Sequence, residues 1–365
     1  MKKTTPWKII SAVLAVALIA VSCTWAFTAN NSGTPETTSV SQSADKSEDA
    51  LSLWKKDAKL KTELTDYIKA VTDKSSKDFI PVENRIAVFD MDGTLCCETD
   101  PGYFDHKLLY HRLVEDSSYK ANAEEKALAK ELKQYFDTGE YPEGMDMKHG
   151  KAVAKAFKCM TLDEFDAYVK DYRDEAAQGY VGMTNGQAFY KPMLQVVDYL
   201  NANDFKVYIV SGTDRLITRG LAEGTVKIPV SQMIGSDELF VASGQGDEDG
   251  LDYTFTKDDK VITSGEFVIK NLKMNKVAVI EQEIGVQPVL SFGNSSGDCA
   301  MANFVINNNK YKSAAFMLCC DDTKRENGNT EKADKMYTTC EENGYTAVSM
   351  KNDWTTIYGD GVTKK

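Results

Sequence analysis

The 365 residues contain no CxxC pair and no two histidines one helical turn apart, and they carry no surplus of positive charge. Eight cysteines are present, but Cys96-Cys97 and Cys319-Cys320 are adjacent pairs, and the set does not follow the spacing of a structural zinc site. In an oxidising compartment a bridge from Cys340 to Cys319 or Cys320 is open to the chain, with buried free thiols as the alternative. His106, His111 and His149 read as ordinary polar residues. The net charge of −12 sets the chain against nucleic acid and anionic membrane surfaces as partners. Any phosphate held here must therefore meet a local cluster of donors or a metal. The acidic run Asp247, Glu248, Asp249 fits no EF-hand loop and reads as a solvated turn.

At the N-terminus, Lys2, Lys3 and Lys8 precede an uncharged apolar run from Ile9 to Phe27, the pattern of an export signal over residues 1–27. The run is also long enough to cross a bilayer uncleaved. Within it, "AVSC" at Ala20 to Cys23 looks like a bacterial lipobox with Cys23 as the lipidated residue. A lipid anchor, an uncleaved anchor and simple secretion all place the protein outside the cytoplasm, with membrane contact only through this segment; a cytoplasmic protein is the remaining alternative. Residues 28–50 are rich in Ser, Thr, Asn and Ala without apolar periodicity, so a disordered tether is expected.

Four short apolar runs each end in small or polar residues: "RIAVFDMDG", "FKVYIVSGT", "QPVLSFGNSSGD" and "SAAFMLCCDD". Their length and β-branched or aromatic content suit strands buried on both faces of a parallel sheet. Before the second run, Met193, Val196, Val197 and Leu200 form one apolar stripe at helical spacing. Strand, helix, strand repetition predicts a doubly wound α/β core with a Rossmann-like parallel sheet. The gap between the first two strands is too long for one crossover and is rich in Lys, Glu, Ala, Leu and Tyr. The expected organisation is therefore a core over 51–97 and 189–365, a helical cap over 98–188, and a small β-hairpin insertion over 236–268 turning at Asp249-Gly250.

In such sheets the ligand site lies beyond the carboxyl ends of the strands. Those ends carry Asp90 and Asp92, then Ser211, Gly212 and Thr213, then Asn294 through Asp298. The ordered set DMDGT, VSGT, a lysine and FGNSSGD resembles the haloacid dehalogenase-like (HAD) hydrolases. "FDMDGTLCCE" and "PMLQVVDYLNANDFKVYIVSG" resemble the phosphoserine-phosphatase-like branch with a helical cap, and "CCDDTKRENG" through "GYTAVSMKNDW" resembles its exported bacterial members. The similarity runs from about Leu51 to Gly361. It implies a phosphate-steadying lysine at the start of the helix before the last motif, for which Lys276 fits better than Lys270 or Lys273. It further implies magnesium held by Asp90, the Asp92 carbonyl oxygen, Asn294 and Asp298, although most relatives have aspartate where Asn294 stands. An amide oxygen brings no charge, so weaker magnesium affinity is expected. Thr94 falls in the phosphate-binding motif, and Glu98 matches a cap-hinge glutamate that contacts the amino group of phosphoserine in the relatives, its plainer reading being a solvated acid.

The chemistry can be argued from the residues alone. A phosphate monoester repels nucleophiles, so its cleavage needs an in-line nucleophile, cations on the equatorial oxygens and a proton for the leaving alcohol. Asp90 is the candidate nucleophile, giving an aspartyl-phosphate, and Asp92 the candidate general acid and base. That role requires Asp92 to titrate above the ordinary value of about 3.9. Ser211, Gly212 and Thr213 would bind phosphate at a helix N-terminus. Arg215 and Arg219 could meet a substrate carboxylate or simply lie on a helix surface. The reading is a magnesium-dependent, phosphoserine-phosphatase-like enzyme acting on a small phosphorylated substrate. Its rivals are a broad phosphate-scavenging phosphatase outside the cytoplasm and a non-catalytic binding lipoprotein.

Overall fold

The computed structural model describes residues 50–365. The leader, Cys23 and the tether as far as residue 49 lie outside the described residues. Strand β1, Ile86–Phe89, has the sequence IAVF and is buried at every position, as a strand covered by helices on both faces must be. The other strands of its sheet are β3 (Lys206–Asp214), β4 (Met233–Ala242), β5 (Val261–Ile269), β6 (Leu290–Gly293), β7 (Ala314–Cys319) and β8 (Thr346–Ser349). They run in the order β5-β4-β3-β1-β6-β7-β8. Every neighbouring pair is parallel except β4 with β5. From β1 the chain passes to β3 on one side and later to β6 on the other. The carboxyl end of β1 is therefore the switch point where a ligand crevice opens.

The four apolar runs of the sequence coincide with β1, β3, β6 and β7. The segment around 236–268 pairs as two antiparallel strands whose last partners are Ala242 and Val261. Asp249-Gly250 is thus not the tight turn expected of it, but lies within the connection 243–260. The predicted stripe on the helix Lys191–Asn201 is buried, with Met193, Val196, Val197 and Leu200 all inside.

Between β1 and β3 the chain folds into the helices Phe104–Tyr110, Ala123–Thr138, Met145–Ala156 and Leu162–Arg173. Two of them begin with reciprocal capping boxes, Asn122 with Glu125 and Thr161 with Glu164, which satisfy amides that would otherwise be left open. Phe157 and Phe165 pack at a tilt inside this insertion with ring centres 4.4 Å apart. Its last helix rests on the helix Arg215–Ala222, where Gly220 leaves no room for a side chain: an added Cβ would lie 2.7 Å from Val169. Among the described residues, no helix is long and apolar enough to cross a membrane.

The C-terminal segment closes the molecule. Strand β9, Thr363–Lys364, pairs antiparallel with β2, Tyr180–Val181, which lies in the chain leading back from the insertion. Buried Glu326 gathers the Cys97 thiol at 3.2 Å, the Tyr180 hydroxyl at 3.0 Å and the Tyr358 hydroxyl. Cys340 meets Cys319, whereas Cys320 turns to the carbonyl of Asn329 at 3.6 Å.

Candidate active site

The chain leaves β1 at Asp90, whose backbone N–H donates to the Phe292 carbonyl at 2.9 Å and pins it to the edge of β6. Asp90 Oδ1 accepts from Lys276 Nζ at 2.6 Å, and the same ammonium donates to Asp298 Oδ1 at 2.7 Å. Lys276 sits in the first turn of the helix Met274–Glu283 and has no exposed surface. A buried cation of this kind survives because two carboxylates surround it. Of the three lysines weighed from sequence, it is the one that reaches the strand ends. Lys270 and Lys273, expected as solvated surface residues, also line the cleft, Lys273 with its side chain exposed.

Gly93 turns the chain with φ +80°, and a Cβ there would lie 2.0 Å from Asn294 Nδ2. Both the backbone conformation and the close approach demand glycine. Asp298 Oδ2 accepts from the amides of Asn294 and Ser295 at 3.1 and 3.0 Å and from the Ser295 hydroxyl at 3.1 Å. It thereby shapes the loop that follows β6. Thr94 Oγ1 stands 3.4 Å from both Asp90 Oδ2 and Asn294 Oδ1. Contacts that long satisfy these oxygens poorly, which leaves two hard donors on one side of β1. Hard oxygen donors of this sort fit magnesium, and Asp90 Oδ2 and Asn294 Oδ1, with the Asp92 carbonyl oxygen expected beside them, would hold it, whereas both oxygens of Asp298 are taken by Lys276 and by the loop after β6.

Asp92 faces the other way, accepting from Thr213 Oγ1 at 2.8 Å. The same hydroxyl is 3.3 Å from Asp105 Oδ2 in the insertion. Burial, then the neighbouring carboxylates of Asp105 and Asp90, push the Asp92 carboxyl well above its ordinary value. Burial and Asp298 likewise push Asp90 up, to about 7, against the pull of Lys276. The two acids of one motif thus have different neighbours: a buried ammonium for Asp90, a hydroxyl and further acids for Asp92.

Ser211 departs from expectation. It is completely buried, and its hydroxyl accepts the N–H of Thr213 at 3.1 Å instead of lining the cleft. The following helix does not offer a free N-terminus, because Asp214 Oδ1 caps the amides of Leu216 and Ile217 at 2.8 and 3.2 Å. Gly212 and Thr213 do line the cleft. The cause is a register shift between Val210 and Asp214, which breaks the side-to-side alternation of β3 there. Glu98 lines the cleft and is paired, with Lys332 Nζ at 2.5 Å and the Tyr103 hydroxyl at 3.2 Å. Arg215 is committed to Asp237 at 2.6 Å and to Glu283, and Arg219 donates to the Val230 carbonyl at 3.1 Å. Both are structural.

These groups converge on a cleft of about 390 Å³. Its far wall comes from residues that no motif or period selects: Tyr103, Asp105, His106, Tyr141 and Asp146 from the insertion, and Lys332 from the helix Thr330–Asn343. Two of the histidines read as ordinary polar residues, His106 and His149, are buried and stacked with ring centres 3.9 Å apart.

No curated protein sequence matches the chain. Among solved structures, it is similar to a conserved protein of unknown function from Anaerococcus prevotii, at 14% identity and a TM-score of 0.50, covering 79% of this chain and 91% of that one. It is also similar to cytosolic 5′-nucleotidase IIIB bound to cytidine, at 12% identity and a TM-score of 0.48, over 80% and 87% of the two chains. A phosphoserine phosphohydrolase-like protein from Francisella tularensis matches at 12% identity and a TM-score of 0.37, over 69% and 92%. At 14% identity the first of these likenesses speaks to the fold alone. The model of the haloacid dehalogenase-like hydrolases matches residues 87–303, from within β1 to the helix after β6. That span takes in DMDGT, VSGT, Lys276 and FGNSSGD and more than half of the sequence, and the chain belongs to this family of hydrolases.

Proposed function

We propose that the protein is a magnesium-dependent phosphomonoester hydrolase that works through an aspartyl-phosphate on Asp90, with O-phosphoserine or a similarly small ester as substrate. The observation that carries this reading is the opposed placement of two carboxyls at the end of β1, Asp90 on Lys276 and Asp92 on Thr213. In the first step a lone pair of the Asp90 carboxylate forms a bond to phosphorus as the ester P–O bond breaks. Asp92 gives its proton to the departing alkoxide. In the second, the Asp92 carboxylate takes a proton from water as that water attacks phosphorus, releasing phosphate and restoring Asp90. Magnesium, when bound, supplies positive charge beside Asp90 and the phosphoryl oxygens. Lys276 holds Asp90 in line and keeps Asp298 from repelling the incoming dianion.

The acidic and aromatic wall of Glu98, Tyr103, Tyr141 and Asp146 favours a compact substrate with an amino group, and Lys270 and Lys273 suit an anionic one at the rim. The phosphoserine-like branch is proposed on these side chains together with the sequence motifs. The leader-like residues 1–27 support a site of action outside the cytoplasm, anchored at the membrane. Release of phosphate from p-nitrophenyl phosphate and from O-phosphoserine, with and without magnesium, tests the reading. Asp90→Asn is expected to lower turnover by about a thousandfold or more. Equal rates in the variant and the parent would overturn the assignment of the nucleophile.

A further inference from the structure

Asp105 and His106 lie on the helix Phe104–Tyr110 and His149 on the helix Met145–Ala156. All three side chains are almost wholly buried, at 2%, 3% and 1% exposure. One donor atom from each can be chosen so that the three lie within 4.8 Å of one another. His106 Nδ1 is 2.6 Å from Asp105 Oδ1, and His149 Nδ1 is 3.7 Å from Asp105 Oδ2. The second distance is too long for a hydrogen bond. Neither nitrogen of His149 has a partner. A polar group buried and unpaired costs about 1–3 kcal/mol, and in native proteins such a group commonly marks a water, an ion or a catalytic role.

We propose that Asp105, His106 and His149 bind a divalent transition-metal ion of the zinc class, at a site distinct from the oxygen donors around Asp90 and Asn294. Two imidazoles and one carboxylate form a donor set that suits zinc, manganese or iron, whereas magnesium and calcium take oxygen.

The present arrangement also says what must move. The two rings lie parallel within 6°, and lone pairs in parallel planes do not meet at one ion. His149 is the ring that turns, since no hydrogen bond holds it. Zinc bonds of about 2.0–2.1 Å require donor atoms within reach of one ion, and Asp105 already lies 2.6 Å from His106 and 3.7 Å from His149. Three protein ligands leave a coordination position open. Asp105 and His106 line the cleft, so that position faces the substrate and would accept a nitrogen or oxygen donor from it.

The test reads metal uptake and does not depend on phosphatase activity. The full chain, stripped with chelator and returned to excess magnesium, is titrated with cobalt(II) followed by visible absorption, and with zinc followed by proton NMR of the imidazoles. With only three histidines in the sequence, the spectrum is simple. One equivalent of cobalt is expected to bind in the presence of magnesium and in Asp298→Asn, with the resonances of two histidines shifting under zinc and that of His111 unmoved. His149→Ala and the closer substitute His149→Gln should each weaken cobalt binding by tenfold or more. The proposal is overturned if no saturable cobalt binding occurs beside magnesium. It is equally overturned if His111 alone responds in the parent protein, a result that needs no folded variant.

Discussion

At the scale of single residues, the site separates two aspartates by what surrounds them. Asp92 is buried beside Asp105 and Asp90, and its carboxyl is raised well above the ordinary value. A general acid must be protonated and the nucleophile ionised, so the rate for esters with poor leaving groups should fall as pH rises through the raised Asp92 pKa and fall again below about 7, where Asp90 takes up a proton. A profile of kcat/KM on O-phosphoserine against pH checks this, and a rate that stays flat into the alkaline range would count against the role. Asp92→Asn should slow alkyl phosphates about 100-fold or more but p-nitrophenyl phosphate much less, because a good leaving group needs no proton. Gly93→Ala meets two obstacles at once, φ +80° and a 2.0 Å approach to Asn294. It is expected to cost about 1–3 kcal/mol of stability and to displace a proposed metal ligand, seen as a lower melting temperature together with a higher magnesium requirement.

At the scale of elements, strand ends were readable and cross-element contacts were not. Asp90, Asp92, Asn294 and Asp298 are local to apolar runs that announce a buried strand, and position at the end of such a run is enough to place a side chain. Ser211 sits at an equally clear strand end, yet the irregularity in β3 turns its hydroxyl inward, and nothing in the letters VSGT signals it. Asp105 and His149 meet only because two helices of the insertion pack together; no period in the sequence links residues 44 apart. Strand β4, second from the edge of the sheet, hides a further feature, the carboxyl of Glu238, buried with neither oxygen hydrogen-bonded. Burial first, then Asp214 and Asp237, raise it to about 9. Its contribution therefore holds below its unfolded value near 4.5 and is lost as pH climbs toward 9. Thermal melts of Glu238→Gln and the parent from pH 5 to 9 should show the parent losing stability more steeply, with the curves diverging at the alkaline end.

At the scale of the whole molecule, Glu326 ties together three stretches far apart in sequence: the turn after β1 through Cys97, strand β2 through Tyr180, and the C-terminal segment through Tyr358. Replacing it with alanine strands buried donors on all three and should cost about 3 kcal/mol or more, since each unsatisfied buried group costs about 1–3 kcal/mol. Chemical denaturation measures this, and a loss below about 1 kcal/mol would mean that the three stretches are held elsewhere. The family could be recognised from sequence because its motifs are carried by the sheet. The wall of the cleft opposite the sheet depends on how the insertion packs and became visible only in three dimensions.

That wall has a dynamic consequence. The Thr213 hydroxyl lies between a carboxyl from the sheet and one from the insertion, at 2.8 and 3.3 Å. It has one hydrogen to give, so both contacts close as hydrogen bonds only when one of the two acids is neutral. Asp92 is the acid that burial and its neighbours push up, and Asp105 the one its imidazoles pull down despite burial. Any motion that lifts the helix Phe104–Tyr110 away would hydrate Asp92 and let its proton escape to bulk water. The molecule would then be reloaded from solvent at each closing, and no turnover would inherit its proton from the one before.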